Sequence, residues 1–228
     1  MPFTLDNVVP WGRGFDEYAS MFAIEPPDFR RRILGCGDGP AAFNAVMNRS
    51  GGGVVSVDPL YDSSVTEIRE RIDAVFDSIL AETERNKEEF VWRHVESVSD
   101  LGRMRRAAMD EFLADYEVGT KEFRYVAGAL PELPFVDKTF ELALCSHFLF
   151  LYSEQYDLSF HIQSLQELCR VADEVRIFPL LELGARKSRH LDAVVTWLKR
   201  EGIAHEIVTV DYEFQKGGNQ MLRIGTFT

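Results

Sequence analysis

The apolar residues Ile33-Leu34 lead into Gly35-Cys36-Gly37-Asp38-Gly39-Pro40, and a second apolar run, Val54-Val55-Ser56-Val57, ends at Asp58, 19 residues beyond Gly39. No other stretch constrains the fold as tightly. Glycines at alternating positions let the backbone turn sharply and approach a ligand where a side chain would collide. A carboxylate at the end of a second strand can accept hydrogen bonds from both ribose hydroxyls of a nucleoside. Between them lies a helix-compatible segment. This order of features predicts a pocket for a nucleoside-bearing cofactor at the edge of a parallel sheet.

The dinucleotide fingerprint G-x-G-x-x-G has its third glycine three residues after the second. Pro40 stands there instead, which disfavours a nicotinamide-dependent oxidoreductase. The observed G-x-G-x-G resembles motif I of the class I S-adenosylmethionine-dependent methyltransferases. The resemblance continues through Val57-Asp58-Pro59-Leu60 and through Leu133-Pro134-Phe135-Val136-Asp137-Lys138-Thr139-Phe140-Glu141-Leu142-Ala143-Leu144, in order, over residues 31 to 179. It implies an α/β fold with a doubly wound, mostly parallel seven-stranded sheet (Rossmann-like) ending in an antiparallel hairpin. It also implies S-adenosyl-L-methionine as cofactor and methyl transfer to a small-molecule acceptor.

The same resemblance suggests roles for individual residues. Gly35, Cys36, Gly37 and Gly39 would form the turn under the methionine and ribose parts of the cofactor. Asp58 would bind the ribose, and Pro59 and Leu60 would flank the adenine. Ala129 and Leu130 would meet the adenine through backbone groups. Ser146 and His147, ending the fourth strand, would face the transferable methyl, with His147 removing a proton from the acceptor. Arg13 and Tyr18, in a segment preceding the first strand, would lie near the cofactor carboxylate. Blander roles are open for several of them. Asp58 can be a helix N-cap, His147 a packing residue, and Trp11, Phe15, Tyr18 and Phe22 simple anchors of the N-terminal segment.

Two departures stand out. Ile33 occupies the position where the family carries an acidic residue for the methionine ammonium; Asp38 is the substitute within the turn. Ala127-Gly128-Ala129-Leu130 lacks the Asp or Asn that accepts from the adenine amino group. These departures keep a second reading open, a non-catalytic or regulatory S-adenosylmethionine-binding protein of the same fold. The Asn/Asp-Pro-Pro-aromatic motif and a Pro-Cys pair are both absent, which disfavours adenine, glutamine and cytosine carbon-5 as acceptors.

Alternating strand and helix patterns read as one domain over residues 1–228, with a cap segment at 1–29. Strands are predicted at 31–36, 53–58, 122–127, 140–146, 174–179, 205–213 and 219–227, the last two joined at Lys216-Gly217-Gly218-Asn219. Val65, Ile68, Ile72, Val75, Phe76 and Ile79 share one helical face, as do Leu101, Met104, Ala108, Phe112 and Tyr116. Leu158, Ile162, Leu165 and Leu168 form a third. Some 63 residues separate Asp58 from Glu122, where a crossover needs about a dozen. Residues 62–118 are therefore read as a helical insertion: a cap over the pocket, a homodimer surface, or a helical pair packed on the sheet.

A net charge of −12 disfavours nucleic acid as a partner. Arg30-Arg31-Arg32 is the one basic cluster and reads as solvated residues before a strand. Cys36, Cys145 and Cys169 show neither C-x-x-C nor zinc spacing, so no metal is expected and the thiols are read as free. No signal peptide or membrane span is recognisable, and a cytoplasmic location is the expectation. His161 and His190 are read as surface or cap residues.

Overall fold

A computed structural model describes residues 9–93 and 95–225. Residues 1–8 of the expected cap segment, and 226–227 of the expected final strand, lie outside the described residues.

The sheet follows from runs that are apolar on both faces. β1 (Arg32–Cys36), β2 (Gly53–Val57) and β4 (Phe140–Ser146) are almost wholly buried, as strands covered by helices on both sides must be. With β3 (Tyr125–Val126), β5 (Ala172–Phe178), β8 (His205–Thr209) and β9 (Gln220–Gly225) they form one seven-stranded sheet, in the order β3-β2-β1-β4-β5-β9-β8. β9 is antiparallel to both neighbours, and the pairs from β3 to β5 are parallel. Strand order reverses between β1 and β4. A crevice opens beyond the carboxyl ends of strands at such a switch point. The seven strands and their terminal antiparallel pair agree with the predicted fold class.

Alternate residues of β1 feed two cores. Ile33 packs with Tyr18, Phe22, Phe43 and Leu142 on one face. Leu34 and Cys36 pack with Cys145, Leu165 and Leu168 on the other. The first face is covered by α1 (Phe15–Met21) and α2 (Phe43–Arg49), the second by α5 (Leu158–Val171) and α6 (Leu191–Arg200). Ile33 is fully buried. A carboxylate there would face a hydrocarbon core, which accounts for the missing acidic residue.

Between β2 and β3 run two long helices, α3 (Val65–Arg85) and α4 (Val98–Lys121). Ser64 and Glu67 close a reciprocal capping box at the start of α3, and Ser97 caps α4. Their apolar faces meet over Ile68, Ile72, Met109, Phe112 and Tyr116.

Several expected boundaries move. β3 shrinks because Glu122 to Arg124 end α4 instead: Phe123 is left-handed (φ 59) and Arg124 N–H donates to Gly119 O at 2.7 Å. β8 stops at Thr209 because Tyr212 turns into the core. Phe214 pairs with another segment, where Val91 N–H donates to Phe214 O at 2.7 Å. The connection from β8 to β9 is thus a loop crossing to the insertion, not a tight hairpin. A small hairpin, β6 (Leu181–Glu182) and β7 (Arg186–Lys187), has no counterpart in the sequence reading.

Other side-chain expectations also change. Arg31 is no solvated residue: it is largely buried and pairs with Asp28 and Glu174. His161 is fully buried, its ring 4.6 Å from that of His190.

Candidate functional site

The turn after β1 is held by hydrogen bonds from neighbouring strand ends. Gly37 N–H donates to Val57 O at 2.9 Å, and Gly39 N–H donates to Asp58 Oδ2 at 2.9 Å. The other oxygen of Asp58 accepts from Leu60 N–H at 2.8 Å, capping the short 3₁₀ turn Pro59–Asp62. Asp58 is therefore an N-cap and also a clamp on the glycine turn, while its side chain still borders the cavity. Burial pushes its carboxyl above the usual range.

Gly37 has φ +69, and a Cβ built on it would lie 3.1 Å from Phe148 Cβ. A side chain there would be strained and would also crowd the space in front of the turn. Gly35 works differently from the expectation. It does not line the cavity; a Cβ on it would sit 1.7 Å from Asp38 Oδ2. Its missing side chain makes room for a carboxylate, not for a ligand.

That carboxylate, Asp38, is nearly inaccessible and accepts from Ser56 Oγ at 2.6 Å and from Tyr18 Oη at 2.9 Å. Burial raises it from 3.8 to about 6, against the pull of those two donors. Tyr18 thus reaches the site as a support for Asp38, stacked on Phe43 with ring centroids 4.8 Å apart.

Arg13 also reaches the cavity. One of its Nη atoms donates to Trp11 O at 3.1 Å, but its Nε is buried without a partner among the described residues. Desolvation and the nearby Arg105 guanidinium lower its pKa, against a smaller opposing pull from Tyr212 and Glu17. The adjacent carboxylate, Glu17, is already taken. It receives both Nη atoms of Arg105 from α4 and the Tyr212 hydroxyl at 2.7 Å.

At the end of β4, Ser146 Oγ and His147 Nδ1 are 3.0 Å apart, and His147 N–H donates to Phe178 O at 2.7 Å. His147 holds a left-handed backbone, φ 50, which is uncommon for a non-glycine residue and recurs at functional sites. Burial first, then Arg13 and Arg105, hold its imidazole well below the usual range, so it is neutral at physiological pH.

Arg13, Tyr18, Gly37, Asp38, Gly39, Asp58, Ser146 and His147 border one cavity of about 400 Å³, together with Cys36, Pro59, Leu60, Ala129 and Leu130, whereas Gly35, Ser56, Glu17, Arg105 and Tyr212 stand behind it. Its roof was not foreseen residue by residue. Ile79 and Thr83 of α3, Phe90, and Phe214 with Gln215 close it from above. Phe90 and Phe214 stack at 4.8 Å, and Phe90 bridges to Gln215 across two antiparallel segments. Only the long crossover hinted at this cover, since nothing local marks Phe90 or Phe214. Among the described residues there is no cluster of three or more groups able to hold a metal, and no helix long and apolar enough to cross a membrane.

No protein-family model matches the chain. An uncharacterized protein of Methanocaldococcus jannaschii, MJ0045, is 33% identical over 221 residues, covering 96% of this chain and 97% of that protein. Among solved structures, a putative S-adenosyl-L-methionine-dependent methyltransferase of Methanococcus maripaludis aligns over 93% of this chain and 83% of its own, at 13% identity and TM-score 0.47. A possible histamine N-methyltransferase of Thermotoga maritima aligns over 91% and 86%, at 10% identity and TM-score 0.45. The fold assignment rests on the strand order of this chain rather than on these distant likenesses.

Proposed function

The chain belongs to the family of the Methanocaldococcus jannaschii protein MJ0045, and we propose that it is an S-adenosylmethionine-dependent methyltransferase acting on a small molecule. One observation carries this reading. A glycine turn clamped by Asp58 at the β1/β4 switch point opens into a cavity that is also bordered by Arg13, a buried guanidinium with no ion pair at 4 Å or less among the described residues. A nucleoside with a charged amino-acid tail matches both ends of that arrangement.

The residues present fit the cofactor. Asp58 would accept from the ribose hydroxyls with its free lone pairs, and Arg13 would meet the terminal carboxylate. Asp38 would face the ammonium in place of the residue that Ile33 lacks. Pro59, Leu60, Ala129 and Leu130 would border the adenine. When bound, the cofactor supplies a methyl group on a positively charged sulfur. The protein's own contribution is then to align the acceptor, exclude water and take up a proton, and His147, which borders the cavity, would serve the last task. In this reading the N-terminal segment, α3 and the 214–215 loop cover the pocket and control access.

Ile33 and Ala129 favour a second reading, a regulatory binder that holds the same cofactor without transfer. Calorimetry against S-adenosylmethionine, its demethylated product and NAD tests the shared premise. The first two are expected to bind to the wild type and fail to bind to a folded Gly37→Val variant. Heat with NAD alone would overturn the assignment. Binding without turnover across a broad acceptor panel would favour the regulatory reading.

A further inference from the structure

Away from the cofactor turn, the cavity is closed by segments that bring mostly hydrocarbon to it. α3 supplies Ile79, α4 supplies Leu101, the loop after β4 supplies Leu151, and the tip of the β6–β7 hairpin supplies Leu183. Phe90 and Phe214 complete the set. Loops usually bring polar backbone to a pocket, but here that backbone is already spent. Val91 N–H donates to Phe214 O at 2.7 Å and Lys216 N–H to Glu89 O at 2.9 Å, so the two roof segments pair with each other. Gln215 O accepts from Gly218 N–H at 2.8 Å, and Leu183 N–H donates to Leu151 O at 3.1 Å.

Polar side chains on this side are few, and two of them are engaged. Thr83 Oγ1 donates to Ile79 O at 2.8 Å, and the Tyr152 hydroxyl is engaged by the Val9 backbone. Asp38, Asp58, Arg13, Ser146 and His147 belong to the cofactor and the reacting atoms in the proposed function. The charged side chain that remains on the lining is Arg71, and it is exposed, where a charge gains little from a partner. The Trp11 indole N–H, the Tyr156 hydroxyl and the Gln215 amide border the cavity without a hydrogen-bond partner among the described residues. All three are uncharged. A guest therefore meets wide apolar walls and a few neutral donors and acceptors. Any further hydroxyl or charge it carries is buried unpaired, which opposes binding.

Resting on the methyltransferase reading, we infer that the acceptor is a small molecule with an apolar body, hydrocarbon or aromatic, whose one strongly polar group is the group that takes the methyl. Sugars, nucleotides and free amino acids are excluded, because each would bury several hydroxyls or a second charge against these walls. The selection acts on the body of the acceptor and is independent of which heteroatom is methylated. The polar end belongs at the floor, and the apolar end lies against Phe90, Phe214 and Leu183. Discrimination by such a pocket is moderate, about 10²-fold for one added hydroxyl that nothing receives.

The test uses the full-length protein loaded with the demethylated cofactor. The fluorescent apolar probe N-phenyl-1-naphthylamine is titrated in and then displaced by matched pairs that share a nucleophile and differ in body. The pairs are 1-hexanethiol against cysteine, hexylamine against glucosamine, and 4-butylphenol against tyrosine. The probe is expected to bind saturably, and the apolar member of each pair to displace it about 10-fold better or more. Ile79→Asn and Leu183→Asn should weaken the probe by about the same factor while calorimetry finds cofactor affinity unchanged. Polar members that displace the probe as well as their apolar partners would overturn the inference. So would loaded protein that does not bind the probe, or folded variants that bind it as the wild type does. If calorimetry finds no S-adenosylmethionine binding, the methyltransferase reading falls and the acceptor inference with it. Normal cofactor binding beside failed probe binding overturns the acceptor inference alone.

Discussion

The floor and the roof of the cavity are put together by different means. On the floor, Cys36 to Gly39, Asp58 to Leu60, and Ser146 with His147 are short contiguous stretches at three strand ends. The register of the sheet sets them side by side: Cys36 is paired with Val57 on one side and Cys145 on the other. The roof has only a short antiparallel bridge, Phe90 with Gln215. Behind it, segments far apart in the chain are joined by side chains that do not border the cavity: Arg105 of α4, Glu17 of α1 and Tyr212 of the β8–β9 loop, with separations of 88 and 195 residues. Backbone pairing holds the floor by many equivalent bonds, whereas the elements around the roof share a buried ionic knot that one substitution can open.

The largest effect is therefore expected at the knot. Arg105→Ala leaves Glu17 buried and unpaired, and breaking such a pair costs about 3–5 kcal/mol. Denaturant unfolding measures it. The double variant Arg105→Met/Glu17→Leu should recover most of the loss, since well-packed apolar replacements of buried pairs are often neutral. A single variant as stable as the wild type would show that the ion pair adds nothing to the packing around it.

A smaller effect, on binding rather than stability, is expected on the floor. Asp58→Ala removes the clamp on Gly39 N–H and, in the proposed function, the ribose acceptor. Cofactor binding should weaken by roughly 1.5–3 kcal/mol, the scale of hydrogen bonds to charged groups. Calorimetry on a folded variant checks this, and unchanged affinity would leave Asp58 with the capping role only.

Smallest, but most telling for the comparison, is the response to pH. Asp38 on the floor is raised from 3.8 to about 6, so its burial costs stability above that range and the cost disappears as pH falls from about 6 to below 4. Glu17 in the knot is lowered from 4.5 to about 2, so its contribution is full above 4.5 and is lost as pH falls toward 2. Acid should thus relieve the floor before it loosens the knot. Cofactor affinity should decline as pH drops through about 6, because protonated Asp38 no longer opposes an ammonium. An Asp38→Asn variant with the same decline would move that titration to another group.

Sequence was most informative where function or structure is local. The glycine turn with Asp58 was legible because turn geometry and a strand-end carboxylate leave a mark within a few dozen residues. The faces of α3, α4 and α5 were legible because 3.6-residue periodicity and the Ser64/Glu67 box are short-range signals. Where two local codes compete, the reading slipped: Glu122 to Arg124 carry β-compatible residues but terminate α4.

Only the tertiary structure decided that Gly35 yields its space to Asp38, that Ile33 belongs to a core, that His147 is kept neutral, and that Phe90 and Phe214 meet over the cavity. Each of these depends on a partner dozens of residues away or on exclusion from water. Burial and long-range pairing are properties of the packed chain as a whole, and no window of neighbouring residues encodes them.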